Sequence, residues 1–97
     1  MPRAYWIAHV DVHDPRAYEA YRQANAAAFA KYGARFLVRG GPQEVVEGTA
    51  RARSVVIEFA DLATAQACYH SPEYQAALAL RRPVSDADVV IVQGYGD

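Results

Sequence analysis

The sequence predicts an α+β domain with the element order β-α-β-β-α-β. Three observations predict it. Apolar residues alternate with a step of two near the N-terminus and in the middle of the chain, which marks strands. An alanine-rich stretch between the first two strands carries apolar residues at three- and four-residue steps. Asp14-Pro15 and Ser71-Pro72 each place a capping side chain before a proline, the signature of a helix start.

The elements follow in order. Arg3 to Val12 has Ala4, Trp6, Ala8, Val10 and Val12 on one side and Tyr5, Ile7, His9 and Asp11 on the other. This is a strand with one buried face and one mixed face. Arg16 to Tyr32 is rich in strong helix formers, with Tyr18, Tyr21, Ala24, Ala28 and Tyr32 as its apolar stripe and Gly33 placed to end it. Ala34 to Val38 is a short second strand. Arg39-Gly40-Gly41-Pro42 turns away from it, and Gln43 to Glu47 reads as an edge segment or hairpin arm. In Arg53 to Phe59, Arg53, Val55, Ile57 and Phe59 alternate with Ser54, Val56 and Glu58. Asp61 caps a helix to about His70. A second helix starts at Ser71, with Glu73 in its first turn, and Pro83 stops it. Asp88 to Gln93 is the last strand.

This order is the split βαβ, ferredoxin-like arrangement: a four-stranded antiparallel sheet with its helices on one face. The 97 residues suit one domain spanning 1–97. The other sheet face, with Tyr5, Ile7, His9 and Glu58, is too apolar for water and too polar for a core. Two subunits stacking these faces into a homodimer, with a polar cleft between them, resolve that conflict.

Composition narrows the function. Hydrophobic residues make up 53% of the chain and charged residues 22%, which excludes disorder. The net charge of −1 gives no footprint for nucleic acid. No apolar run is long enough to span a membrane, and the N-terminus does not read as a signal peptide, so the expected location is cytoplasmic. Cys68 is the only cysteine, so no disulfide or cysteine metal cluster is expected. His9 and His13 are not spaced as helical ligands would be, and neither a metal nor a cofactor is expected.

Phe36-Leu37-Val38-Arg39-Gly40-Gly41, Glu47-Gly48, Val56-Ile57-Glu58-Phe59, Ala67, Tyr69, Ser71-Pro72-Glu73-Tyr74 and Arg81 recur in order and spacing over almost the whole chain in one known group. On these residues the sequence resembles the bacterial domain-of-unknown-function family thirteen-thirty, within the dimeric α/β-barrel superfamily. The resemblance implies a ferredoxin-like protomer paired into a barrel-shaped dimer. It does not fix an activity, because the superfamily includes cofactor-free monooxygenases, lactone isomerases, haem-handling enzymes and ligand-binding regulators.

Five residues stand out as candidates. His9 and Glu58 are the candidate catalytic pair: an imidazole that titrates near neutrality, and a carboxylate set into an apolar strand. Arg39, Tyr74 and Arg81 are the candidate substrate-binding residues. Arg39 is the expected partner of Glu58 and the expected anchor for a carboxylate or enolate, although a one-residue change of register would separate the two. Tyr74 and Arg81 are seven residues apart, on one helix face. The leading expectation is a small organic carboxylate or enolate-like molecule bound in the dimer cleft, with cofactor-free isomerase, lyase or monooxygenase chemistry. The rival is a non-catalytic dimerisation or ligand-binding/assembly domain whose polar cleft residues are structural.

Overall fold

A computed structural model of the chain describes residues 2–96. Its elements are β1 (Ala4–Val12), α1 (Pro15–Lys31), β2 (Arg35–Arg39), β3 (Arg53–Phe59), α2 (Leu62–His70), α3 (Pro72–Arg81), a single 3₁₀ turn (Arg82–Val84) and β4 (Ser85–Gln93). The four strands form one antiparallel sheet in the order β2-β3-β1-β4, the ferredoxin-like topology. The helices cover one face only, so the molecule is a slab of 38 × 35 × 17 Å.

The caps form where the sequence places them. Asp14, Asp61 and Ser71 accept the backbone N–H groups of Ala17, Thr64 and Tyr74, each satisfying a donor that the helix itself leaves unpaired. Gly33 follows α1 with φ +68°, a conformation that costs glycine little. Two expectations are corrected. Gln43 to Glu47 forms no strand; the connection from Gly40 to Ala52 is irregular. β4 begins at Ser85 rather than Asp88, because the 3₁₀ turn containing Pro83 returns the chain directly to the sheet.

Trp6 is the centre of the core. Its ring meets Phe29, Phe59, Tyr69 and Tyr74 at centroid distances of 5.3, 5.3, 5.6 and 4.9 Å. Its indole N–H donates to the Ala65 carbonyl at 2.9 Å, so the buried polar atom is satisfied.

The register decides which side chains share a face. Ala4, Trp6, Ala8 and Val10 point to the helices together with Val55, Ile57 and Phe59. Tyr5, Ile7 and His9 share the bare face with Glu58, Val56 and Ser54. A bulge between Phe36 and Val38 then changes the phase of β2. Arg35 pairs with Glu58 on the bare face, while Arg39 pairs with Val55 and so lies on the helix-covered side. The expected pairing of Arg39 with Glu58 is therefore corrected: the extra residue carries Arg39 to the opposite face.

Candidate functional site

Glu58 is held instead by exposed arginines. Its Oε1 lies 3.6 Å from Arg3 and 3.9 Å from Arg35, and the Tyr5 hydroxyl donates to its Oε2 at 3.4 Å. His9 Nδ1 lies 3.1 Å from Ser54 Oγ, whose own proton goes to Gln43 Oε1. That leaves the serine oxygen as acceptor and the His9 ring nitrogen as donor. At the same end of the sheet, Arg51 bridges Asp11 and Asp88 at 2.9 Å each. The Ala52 N–H and the Arg51 guanidinium hold the Asp11 carboxyl below its ordinary range.

The cavity lies on the other side of the sheet. It has a volume of about 40 Å³ and sits between the sheet and helices α1 and α3, with room for about three waters. Ala8, Val55 and Ile57 form its floor. Tyr18, Tyr21 and Asn25 of α1 and Tyr74 and Arg81 of α3 form its roof. Arg39 and Arg53 close it from the β2–β3 side, with Arg22 beside them. Among the described residues, no aspartate, glutamate or histidine lines it. The expected cluster of His9, Glu58 and Arg39 does not form, whereas Arg39, Tyr74 and Arg81 meet in this one cavity. This cavity lies inside the protomer, and the bulge in β2 puts Arg39 at its edge.

The electrostatics of the cavity are one-sided. Arg22 is held by Glu19 at 3.1 Å. Among the described residues, no carboxylate comes within ion-pair distance of Arg39, Arg53 or Arg81. They face aromatic rings instead: Arg39 over Phe36 at 4.1 Å, Arg53 near Tyr18 at 5.8 Å and Arg81 near Tyr21 at 5.6 Å. Arg81 is only 7% exposed and reaches Ser85 Oγ at 3.5 Å. A cation over a ring gains about 0.5–2 kcal/mol, whereas burying an unpaired charge costs several. The negative end of α3, where Arg81 sits, offsets part of that cost. The balance still favours an anion.

The tyrosines act as donors here. The Tyr21 and Tyr74 hydroxyls lie 2.8 Å apart. Burial raises the Tyr74 pKa, reinforced by its neighbour Tyr21, and burial likewise raises that of Tyr18. Both stay protonated at neutral pH; Tyr18 offers its O–H to an oxygen ligand, and the Tyr21–Tyr74 pair, with one proton closing its own hydrogen bond, offers one more. With arginines, tyrosines and an amide as its polar groups, the cavity can hold and stabilise an anion but contains no base that works near pH 7.

Arg53, Arg22, Tyr18, Tyr21 and Asn25 were not legible as cavity residues. The signal for Arg53 was in the sequence: an arginine in phase with Val55, Ile57 and Phe59 must point to the apolar side. Gly40 admits it. A Cβ at Gly40 would collide with the Arg53 guanidinium, and Gly40 has φ +72°.

Residues 3–95 match the family described as a domain of unknown function, DUF1330. No curated protein matches the sequence. Among solved structures, the chain is similar to a protein of unknown function from Rhodopseudomonas palustris, with 15% identity, TM-score 0.76, and 99% of this chain and 85% of that one covered. It is also similar to SnoaB, a cofactor-independent oxygenase from Streptomyces nogalater, with 16% identity, TM-score 0.67, and 100% and 97% covered. A dimeric ferredoxin-like protein of unknown function from Thermobifida fusca has 19% identity and TM-score 0.65, with 96% and 92% covered. At these identities the likeness establishes the ferredoxin-like fold. Among the described residues no helix is long and apolar enough to cross a membrane.

Proposed function

We propose that this chain, which belongs to the DUF1330 family, binds a small organic anion, a carboxylate or enolate, in the cavity between its sheet and its helices. The observation that carries this reading is the set Arg39, Arg53 and Arg81 around a cavity that no carboxylate lines among the described residues. Arginine presents a planar fork that matches a carboxylate or enolate oxygen, and the tyrosine hydroxyls add donors. Because the cavity has no base, its chemical contribution is to stabilise the anionic form of a ligand. That same contribution would serve a cofactor-free oxygenase of the kind that SnoaB is described to be.

The second part of the reading is a homodimer. Val38, Val90 and Val92 are exposed on the bare sheet face, beside Ile7 and Val56, and the Thermobifida fusca relative is described as dimeric. Pairing through this face would cover those side chains and leave the cavity of each protomer intact.

A thermal-shift titration with short carboxylates tests the anion site. A ligand at 100 times its Kd adds about 2.7 kcal/mol, which a domain of this size shows as a rise of several degrees. The rise is expected in the wild-type protein and is expected to vanish in Arg53→Met. A flat response to every anion in a protein that melts cooperatively would move the weight to the assembly reading, which light scattering of Val90→Asp then tests.

A further inference from the structure

The charge on the cavity walls specifies more than the sign of the ligand. Two of its arginines are withdrawn from water to different degrees, Arg81 buried and Arg53 half-buried. Arg81 is 7% exposed, on the last turn of α3. Arg53 rises from β3, with its Nε buried and lacking a hydrogen-bonding partner among the described residues. Arg39 differs, because it is exposed and stacked on Phe36, so water reaches it. The two inner guanidinium groups converge on neighbouring rings, Arg53 on Tyr18 and Arg81 on Tyr21, whose centroids are 5.3 Å apart. Both are close enough to Tyr18 to oppose the effect of its burial.

A monoanion would neutralise one of these groups and leave the other unpaired in a site of low polarity. Two separate anions would have to share a space that holds about three waters. Building on the anion-binding reading above, we propose that the ligand is one short dianion, contacted by both Arg53 and Arg81. A dicarboxylate would place one carboxylate at each guanidinium; a phosphate monoester would bridge them with its three outer oxygens. The volume of about 40 Å³ limits the part enclosed to about two to four carbons or one phosphate group.

Isothermal titration calorimetry of the full chain at constant ionic strength tests this, with malonate, succinate and inorganic phosphate set against acetate and butyrate. The expected result is at least one dianion binding tenfold or more tightly than either monocarboxylate. In Arg53→Gln the dianions are expected to weaken by tenfold or more and acetate by less, so that the preference falls to near unity. Malonate or succinate as the preferred ligand assigns a dicarboxylate; inorganic phosphate as the preferred ligand assigns a phosphate ester. Equal affinity for acetate, butyrate and the dianions would overturn the dianion while leaving the anion site standing. Absence of binding by any of the five would overturn both.

Discussion

On the bare face of the sheet each described acid meets a base: Glu58 with Arg3 and Arg35, Asp11 and Asp88 with Arg51, Asp86 with His13. On the covered face Arg39, Arg53 and Arg81 meet none. The two faces share the same strands, so the difference arises from which residues fall in phase. Paired charges at a surface contribute little each, about 0–1 kcal/mol, and they ask for no ligand. The two inner arginines, Arg53 and Arg81, carry a cost that an incoming anion removes. The contrast sets the proposed anion site on the covered side and the proposed pairing surface on the bare side.

The comparison breaks most plainly through the core. Trp6→Ala, on the covered face, is expected to destabilise the domain by about 3–5 kcal/mol. Ser54→Ala, on the bare face, is expected to change stability by about 1 kcal/mol or less. Urea unfolding curves check both, and equal losses would refute the asymmetry.

Two glycines sharpen it. Gly33 and Gly40 have nearly the same positive φ, +68° and +72°, but only Gly40 has a side chain where a Cβ would go. Gly33→Ala and Gly40→Ala are each expected to lose about 1–2 kcal/mol through backbone strain. Only Gly40→Ala is expected to weaken anion binding as well, because Arg53 must move aside. Melting temperatures with and without a saturating carboxylate separate the two effects.

A smaller effect is expected at Glu58. Its partners Arg3 and Arg35 are exposed and sit at 3.6 and 3.9 Å. Glu58→Gln is therefore expected to cost about 0–1 kcal/mol. Chemical denaturation measures it, and a loss of several kcal/mol would mean that Glu58 supports the fold far more than its contacts suggest.

The faces should also fail at opposite ends of the pH scale. Asp11 is held below its ordinary 3.8 in the folded state. Its contribution is present above that value and is lost as pH falls through the lowered pKa. Tyr18 and Tyr74 are raised above 10.0, and burial pushes the Cys68 thiol from 9.0 up to about 12. Their contribution is complete below those ordinary values and is lost as pH rises through the raised ones. Thermal melts across pH are expected to show Asp11→Asn flattening the acid limb and Tyr74→Phe flattening the alkaline limb.

The architecture was readable because its signals are local. Asp14, Asp61 and Ser71 announce their helices within three residues, and the alternation in β1 and β3 assigns faces without reference to the rest of the chain. The site was less readable because it depends on a non-local event. The β2 bulge lies within Phe36-Leu37-Val38, where nothing in composition marks an extra residue, yet it reverses the face of Arg39 and removes it from Glu58. Tyr18 and Tyr21 look like a packing stripe, and they do pack; that their hydroxyls also border a cavity depends on how α3 lies against α1. Arg53 was the residue whose phase could have pointed to the covered face from the outset.

The most direct test of the central claim is a side-by-side titration of Arg81→Met and Glu58→Gln with a short carboxylate, read by thermal shift. Arg81→Met is expected to lose the ligand-induced rise while its unliganded form melts no lower than wild type, because a buried unpaired charge has been replaced by an apolar chain. Glu58→Gln is expected to keep the rise in full. Retention in Arg81→Met together with loss in Glu58→Gln would place the ligand on the bare face and contradict the account.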